Sequence, residues 1–209
     1  EFFQKASFAS RLASGSACRS VYPCYSVWGR SDHIPHSNDA YAIAYERFHP
    51  VFATMHDDIV IIDSSEKEVS STAGHALMVD NPYAEIRYKQ ARENAEELAL
   101  VLLSGNVHRF GEIAEQEAMT LHALMMSSNP GYLLIQPNTL HVINRIKAYR
   151  KRTGNPVYFT LDAGPNPHLF YPNEIKEEVE GFIHAEIREL AENGTIIQDI
   201  CGKGPVQLN

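Results

Sequence analysis

Val157-Tyr158-Phe159-Thr160-Leu161-Asp162-Ala163-Gly164-Pro165-Asn166, followed by His168-Leu169-Phe170-Tyr171, is the stretch on which the fold turns. Residues 157–162 carry the β-branched and aromatic side chains of a buried strand, 163–166 the small, proline and asparagine residues of a tight turn, and 168–171 a second strand. Together they predict a hairpin-like unit. Asp162 then stands where the first strand runs out. A carboxylate there is open to two readings: a general base that also stabilises developing positive charge, or an Asx-turn residue satisfying the amides of its own loop.

Working outward, apolar residues recur every three or four positions from Tyr83 to about Ser104 and from Val107 to about Ser128. That spacing predicts two amphipathic helices joined at Gly105-Asn106 as an antiparallel pair. A third helix, from Thr139 to about Arg152, ends in basic residues and Gly154, as its dipole and C-cap favour. A fourth is expected from Asn173 to Asn193, with Ile175, Val179, Phe182, Ile183 and Leu190 on one side. Gly194 closes it before Thr195 to Ile200. Upstream, residues 2–13 read as the back half of a helix, Val21 to Gly29 as a strand interrupted by Pro23, and Tyr41 to Glu46 and Ile59 to Asp63 as further strands. His56-Asp57-Asp58 is expected in the turn between those last two. Helices and strands in mixed order without regular βαβ repetition give an α+β class.

The 209 residues carry a formal charge of −8, with 18 basic and 26 acidic side chains. A chain of this length buries roughly 70% of its unfolded surface without needing a staple. Its acidic balance argues against nucleic acid as a partner. No apolar run approaches the ~20 residues of a membrane span. Cys18, Cys24 and Cys201 show no Cys-x-x-Cys spacing, so a disulfide framework is not expected and a reducing cytoplasm fits. The first residues resemble neither a signal peptide nor an initiation site, and a preceding segment is expected.

Ser14-Gly15-Ser16-Ala17-Cys18-Arg19-Ser20 breaks the first helix with small residues, two hydroxyls and a guanidinium. It reads either as a binding loop for an anion, with Arg19 as a planar fork for carboxylate or phosphate, or as a plain connection with a capping serine. Ser70-Ser71-Thr72-Ala73-Gly74 is either a phosphate-binding helix start or a cap. His33-x-x-His36 and His56-Asp57-Asp58 lack a third ligand at a specific spacing, so no metal ligation is assigned to them. His122 reads as a packed, hydrogen-bonded histidine.

In this order, the 14–20, 70–74 and 161–166 motifs resemble those of the diphosphomevalonate decarboxylases of the GHMP kinase superfamily, over residues 1 to about 172. The resemblance also takes in Leu121-His122-Ala123. It implies a left-handed βαβ N-terminal domain, of which residues 1–80 would be the remainder, and a ferredoxin-like C-terminal domain at 81–209. It also implies ATP-dependent decarboxylation of mevalonate 5-diphosphate to isopentenyl diphosphate, with ATP and Mg²⁺ as cofactors and a homodimer as a common assembly. The family's catalytic carboxylate falls on Asp162 and its substrate-binding arginine on Arg19. Ser14 and Ser16 fall on serines that line the same site, and Ser71 on a residue that contacts the substrate diphosphate. The family usually follows its arginine with an aromatic or Leu and then Gly-Gly, where this chain reads Val21-Tyr22-Pro23-Cys24. Ala118-Met119 stands in place of Ser-Asn. The ATP phosphate loop would lie before residue 1, so these residues alone are expected to be inactive. The rival readings are a GHMP-type small-molecule kinase that acts on mevalonate or its phosphate without decarboxylating, and a non-catalytic remnant.

Overall fold

The hairpin read from the sequence forms the edge of a four-stranded antiparallel sheet in the computed structural model, which describes residues 1–65 and 77–205. Strand β3 spans Met55–Val60, β4 Tyr158–Leu161, β5 Pro167–Pro172 and β6 Ile196–Ile197, in the spatial order β4-β5-β3-β6. Every neighbouring pair is antiparallel, with Phe159 opposite Leu169, Asp58 opposite Leu169 and Val60 opposite Ile196. Strands β1 at Ser26–Val27 and β2 at Ile43–Ala44 form a separate two-stranded ribbon. Helix α1 spans Phe2–Ala13, α2 Ala84–Ser104, α3 Val107–Met126, α4 Pro137–Thr153 and α5 Lys176–Phe182. Among the described residues, three helices between β3 and β4, a hairpin, and one further helix before β6 make the ferredoxin-like α+β arrangement.

One face of the sheet meets α4 and α5 in the main core. Phe159, Leu169, Tyr171, Val142, Ile146 and Val179 are fully buried there, each contributing about 1.5–3 kcal/mol through area removed from water. Tyr149 on α4 stacks on Phe182 of α5 with ring centroids 4.2 Å apart. A second cluster, around Phe52, Met55, Val101, Leu102 and Ile113, joins the start of β3 to α2 and α3. These two helices turn about Gly105, whose φ of 76° only glycine adopts without strain. Ion pairs hold them together, Arg109 to Glu97 at 2.5 Å and Arg87 to Glu117 at 2.6 Å.

Three sequence expectations are corrected. His56, Asp57 and Asp58 lie within β3 rather than in a turn, because each of the three side chains finds a partner on or beside β5, although Asp58 Oδ1 is buried without one. Tyr171 donates its hydroxyl to Asp58 Oδ2 at 2.6 Å, the His56 ring stacks on Tyr171, and His168 Nδ1 meets Asp57 Oδ1 at 2.8 Å. The 173–193 segment is α-helical only from Lys176 to Phe182, then passes into a π turn and 3₁₀ turns. The Arg145 guanidinium donates to the Glu186 carbonyl within that π turn. The strand expected from Val21 to Gly29 shrinks to Ser26–Val27, since Pro23 lacks an N–H and Cys24 has φ of 49°. The four-stranded sheet begins at Met55. No described helix is long and apolar enough to cross a membrane.

Candidate active site

The turn between β4 and β5 is fixed from three sides. Asn166 accepts from the backbone N–H groups of Ile62 and Asp63 at 2.8 and 3.0 Å, and donates to the Asp63 carbonyl at 3.1 Å. Its side chain thereby continues the ladder past the end of β3. Thr139, in the first turn of α4, donates to the Pro165 carbonyl at 2.6 Å and also closes a capping box with Gln136. His122 on α3 is 2% exposed, and its Nε2–H donates to the Asp162 carbonyl at 3.0 Å. Since the acceptor is a carbonyl, that nitrogen must carry the proton. Burial lowers the pKa of His122, with its hydrogen bond to the Asp162 backbone opposing, so the ring stays neutral at physiological pH.

Asp162 is held through its backbone. Its carbonyl accepts from His122 and also from Gly164 N at 2.7 Å, closing a three-residue turn. An Asx turn would have spent the carboxylate on that same Gly164 amide. Here the carboxylate is exposed and takes no donor among the described residues. Asp162 follows Thr160 on the face of the sheet that carries Asp57 and His168. Burial pulls the His168 pKa down, but the hydrogen bond and charge of Asp57, with Asp162 and Asp199 adding, outweigh this and leave it raised.

The Ser14–Arg19 segment shows a similar economy. It forms a 3₁₀ turn, Gly15–Arg19, with Ser14 at its N-cap, yet Ser14 makes no side-chain cap hydrogen bond. The turn is anchored instead from below, where Ser7 donates its hydroxyl to the Cys18 carbonyl at 2.7 Å and accepts from Ala42 N at 2.9 Å. Cys18 is fully buried, while Ser14, Ser16 and Arg19 are exposed. Arg19 Nε reaches back to the Ser16 carbonyl at 3.5 Å, a weak contact that leaves its terminal nitrogens open. The turn packs closely at Gly15, where a Cβ would lie 3.1 Å from the Trp28 ring.

The structure thus brings Ser14, Ser16 and Arg19 onto one turn and sets Asp162 on another. No hydrogen bond or ion pair joins Arg19 to Asp162 among the described residues. Ser71 lies outside the described residues. The turn's supports at Thr139 and Asn166 were not singled out in sequence. Asn166 offered a signal, as the asparagine that ends a tight turn between two strands, whereas Thr139 offered only its place at a helix start.

The profile of the Mevalonate 5-diphosphate decarboxylase C-terminal domain matches residues 58–204. A diphosphomevalonate decarboxylase of Danio rerio is 25% identical over 86% of this chain and 46% of its own length. A crystal structure of mevalonate diphosphate decarboxylase from Staphylococcus aureus superimposes with a TM-score of 0.81 at 25% identity, covering 97% of this chain and 59% of that one. A structure of MDDEF in complex with MVAPP, AMPPCP and magnesium superimposes equally, at 22% identity, over 97% of this chain and 59% of its own. The chain spans about half the length of the curated relatives it matches. The profile match takes in more than half of the chain, including all of β4, β5 and the turn between them, and so the chain belongs to the mevalonate 5-diphosphate decarboxylase C-terminal domain family.

Proposed function

We propose that the protein to which this chain belongs converts mevalonate 5-diphosphate to isopentenyl diphosphate in an ATP-dependent decarboxylation, releasing ADP, phosphate and carbon dioxide. Family membership supports the reaction class. The observation that carries the assignment to residues is the free carboxylate of Asp162, whose turn is bonded through its carbonyl.

In this reading the Arg19 guanidinium takes the substrate carboxylate on its two outward nitrogens, a planar fork meeting a planar acceptor. Ser14 and Ser16 donate hydroxyl hydrogens to anionic oxygens of the same molecule. Asp162 accepts the proton of the C3 hydroxyl as that oxygen attacks the transferred phosphoryl group. It then stabilises positive charge at C3 when phosphate departs, and the C–C bond to the carboxylate breaks with its electron pair forming the alkene. A carboxylate already bridged to the protein could serve neither step well.

ATP and Mg²⁺ enter the proposal as co-substrate and its counter-ion. No group of three or more His, Cys, Asp or Glu side chains that could hold a metal is assembled among the described residues, and the sequence lacks a Gly-x-x-x-x-Gly-Lys loop. No step is assigned to the magnesium–nucleotide site. A cytoplasmic homodimer completes the proposal. Its three free thiols support the location, and the family resemblance supports the dimer.

The test is incubation of the full-length gene product with ATP and mevalonate 5-diphosphate. Carbon dioxide and inorganic phosphate in equal amounts are expected. A phosphorylated product without carbon dioxide would indicate a kinase, and no turnover a non-catalytic protein.

A further inference from the structure

The segment after Arg19 and the end of the described chain are fastened to each other at two cysteines. Cys24 N donates to the Gly202 carbonyl at 2.9 Å and Cys24 Sγ lies 3.4 Å from the same oxygen. Cys201 N, one residue earlier, donates to the Met55 carbonyl at 3.0 Å. Both cysteines line one cleft of about 320 Å³ together with Tyr25, Met55 and Asp57. The N–H to carbonyl bond from Cys24 to Gly202 pairs the two chain segments at the residue next to Cys201, and the Cys201 thiol is in contact with the thiol of Cys24. Both thiols are free, Cys24 exposed and Cys201 half-buried, whereas Cys18 is sealed in the interior.

We propose that Cys24 and Cys201 form a reversible disulfide site that ties the C-terminal segment to the loop following Arg19. The two thiols have separable roles. Burial, and then contact with the Cys24 thiol, pushes the Cys201 thiol up to about 12. Cys24 is therefore the attacking group and Cys201 the resolving one. With glutathione disulfide as oxidant, the Cys24 thiolate attacks one glutathione sulfur. The glutathione S–S bond breaks, one glutathione thiolate leaves, and a mixed disulfide forms on Cys24. Cys201 then gives up its proton and attacks Cys24 Sγ, expelling the second glutathione. The two protein thiols lose two electrons and two protons in all, and one glutathione disulfide becomes two glutathione molecules. The bond would clamp the stretch Val21-Tyr22-Pro23-Cys24, where this chain departs from the family's Gly-Gly.

The test is mass spectrometry of the folded full-length gene product, equilibrated with glutathione disulfide, alkylated and digested without reductant. A peptide pair linked through Cys24 and Cys201 is expected, reversed by dithiothreitol, with Cys18 alkylated only after denaturation. In Cys201→Ser, Cys24 should instead accumulate as the glutathione adduct. Wild-type protein that stops at that adduct, leaves Cys24 unreacted, or links Cys24 to any other cysteine would overturn the proposal.

Discussion

Asp162 and Ser14 each occupy a position whose usual structural task is carried by something else, and this is what leaves both side chains available. At Asp162 the turn is closed by a backbone carbonyl. At Ser14 the 3₁₀ turn starts without a hydroxyl cap. For Arg19, whose contact with Ser16 is weak, Arg19→Lys keeps the charge and loses the fork. KM for mevalonate 5-diphosphate should rise by about tenfold or more, since a charge-assisted hydrogen bond contributes about 1.5–3 kcal/mol and ~1.4 kcal/mol is tenfold. Steady-state kinetics that match wild type would remove Arg19 from the binding role. His168 gives a pH-dependent effect of defined sign. Its folded pKa is raised, so its pairing with Asp57 stabilises the fold fully below the unfolded value of about 6.5 and loses that contribution as pH rises through the folded value. The urea midpoint of wild type relative to Asp57→Asn should therefore be highest in mild acid and converge above neutrality; a difference independent of pH would contradict the pairing. The proposed roles of Arg19 and Asp162 start from local motifs. The Asp57–His168 pair could not be read that way, because strand pairing alone brings together residues 111 positions apart.

At the scale of elements, α3 lies so close to β4 that position 111 admits no side chain: a Cβ on Gly111 would run into the Tyr158 ring. That ring is itself fixed, with Arg150 stacked 4.2 Å above it and its hydroxyl 2.9 Å from His108 Nδ1. Gly111→Ala should cost about 1–3 kcal/mol by overpacking and lower Tm by several degrees; an unchanged Tm would show that helix and strand slide apart freely. Glu117 joins α2 to α3 by accepting from both Arg87 at 2.6 Å and Asn94 at 2.7 Å. Arg87 is only 11% exposed, and its Nε and Nη1 are already without partners. Glu117→Ala therefore leaves a largely buried guanidinium uncompensated, and a loss of about 3 kcal/mol in denaturant unfolding is expected. A loss below ~1 kcal/mol would mean that the pair is screened as a surface pair. Helices α2, α3 and α4 and the β4–β5 hairpin were legible because hydrophobic periodicity and turn residues are local signals. The strand character of 56–58 was hidden, since its polar side chains meet their partners, Tyr171, Asn173 and His168, on or beside a distant strand.

Over the whole molecule, the sheet order places residues 55–60 between strands that come more than a hundred positions later, so the fold closes only when the chain returns from β4 to β6. That closure positions the Asp162 turn, because Asn166 pairs with the residues just past β3 while His122 and Thr139 approach from two different helices. The proposal of Asp162 as the reacting carboxylate starts from its motif, but the freedom of that carboxylate was not readable there: only the assembled turn shows that the protein bonds Asp162 through its carbonyl. The account therefore rests most directly on carbon dioxide release by full-length Asp162→Asn, measured with ATP and mevalonate 5-diphosphate beside a substrate-binding titration. The expected result is a fall in turnover of about a hundredfold or more with substrate affinity largely kept. Near-normal release of carbon dioxide from the variant would contradict it.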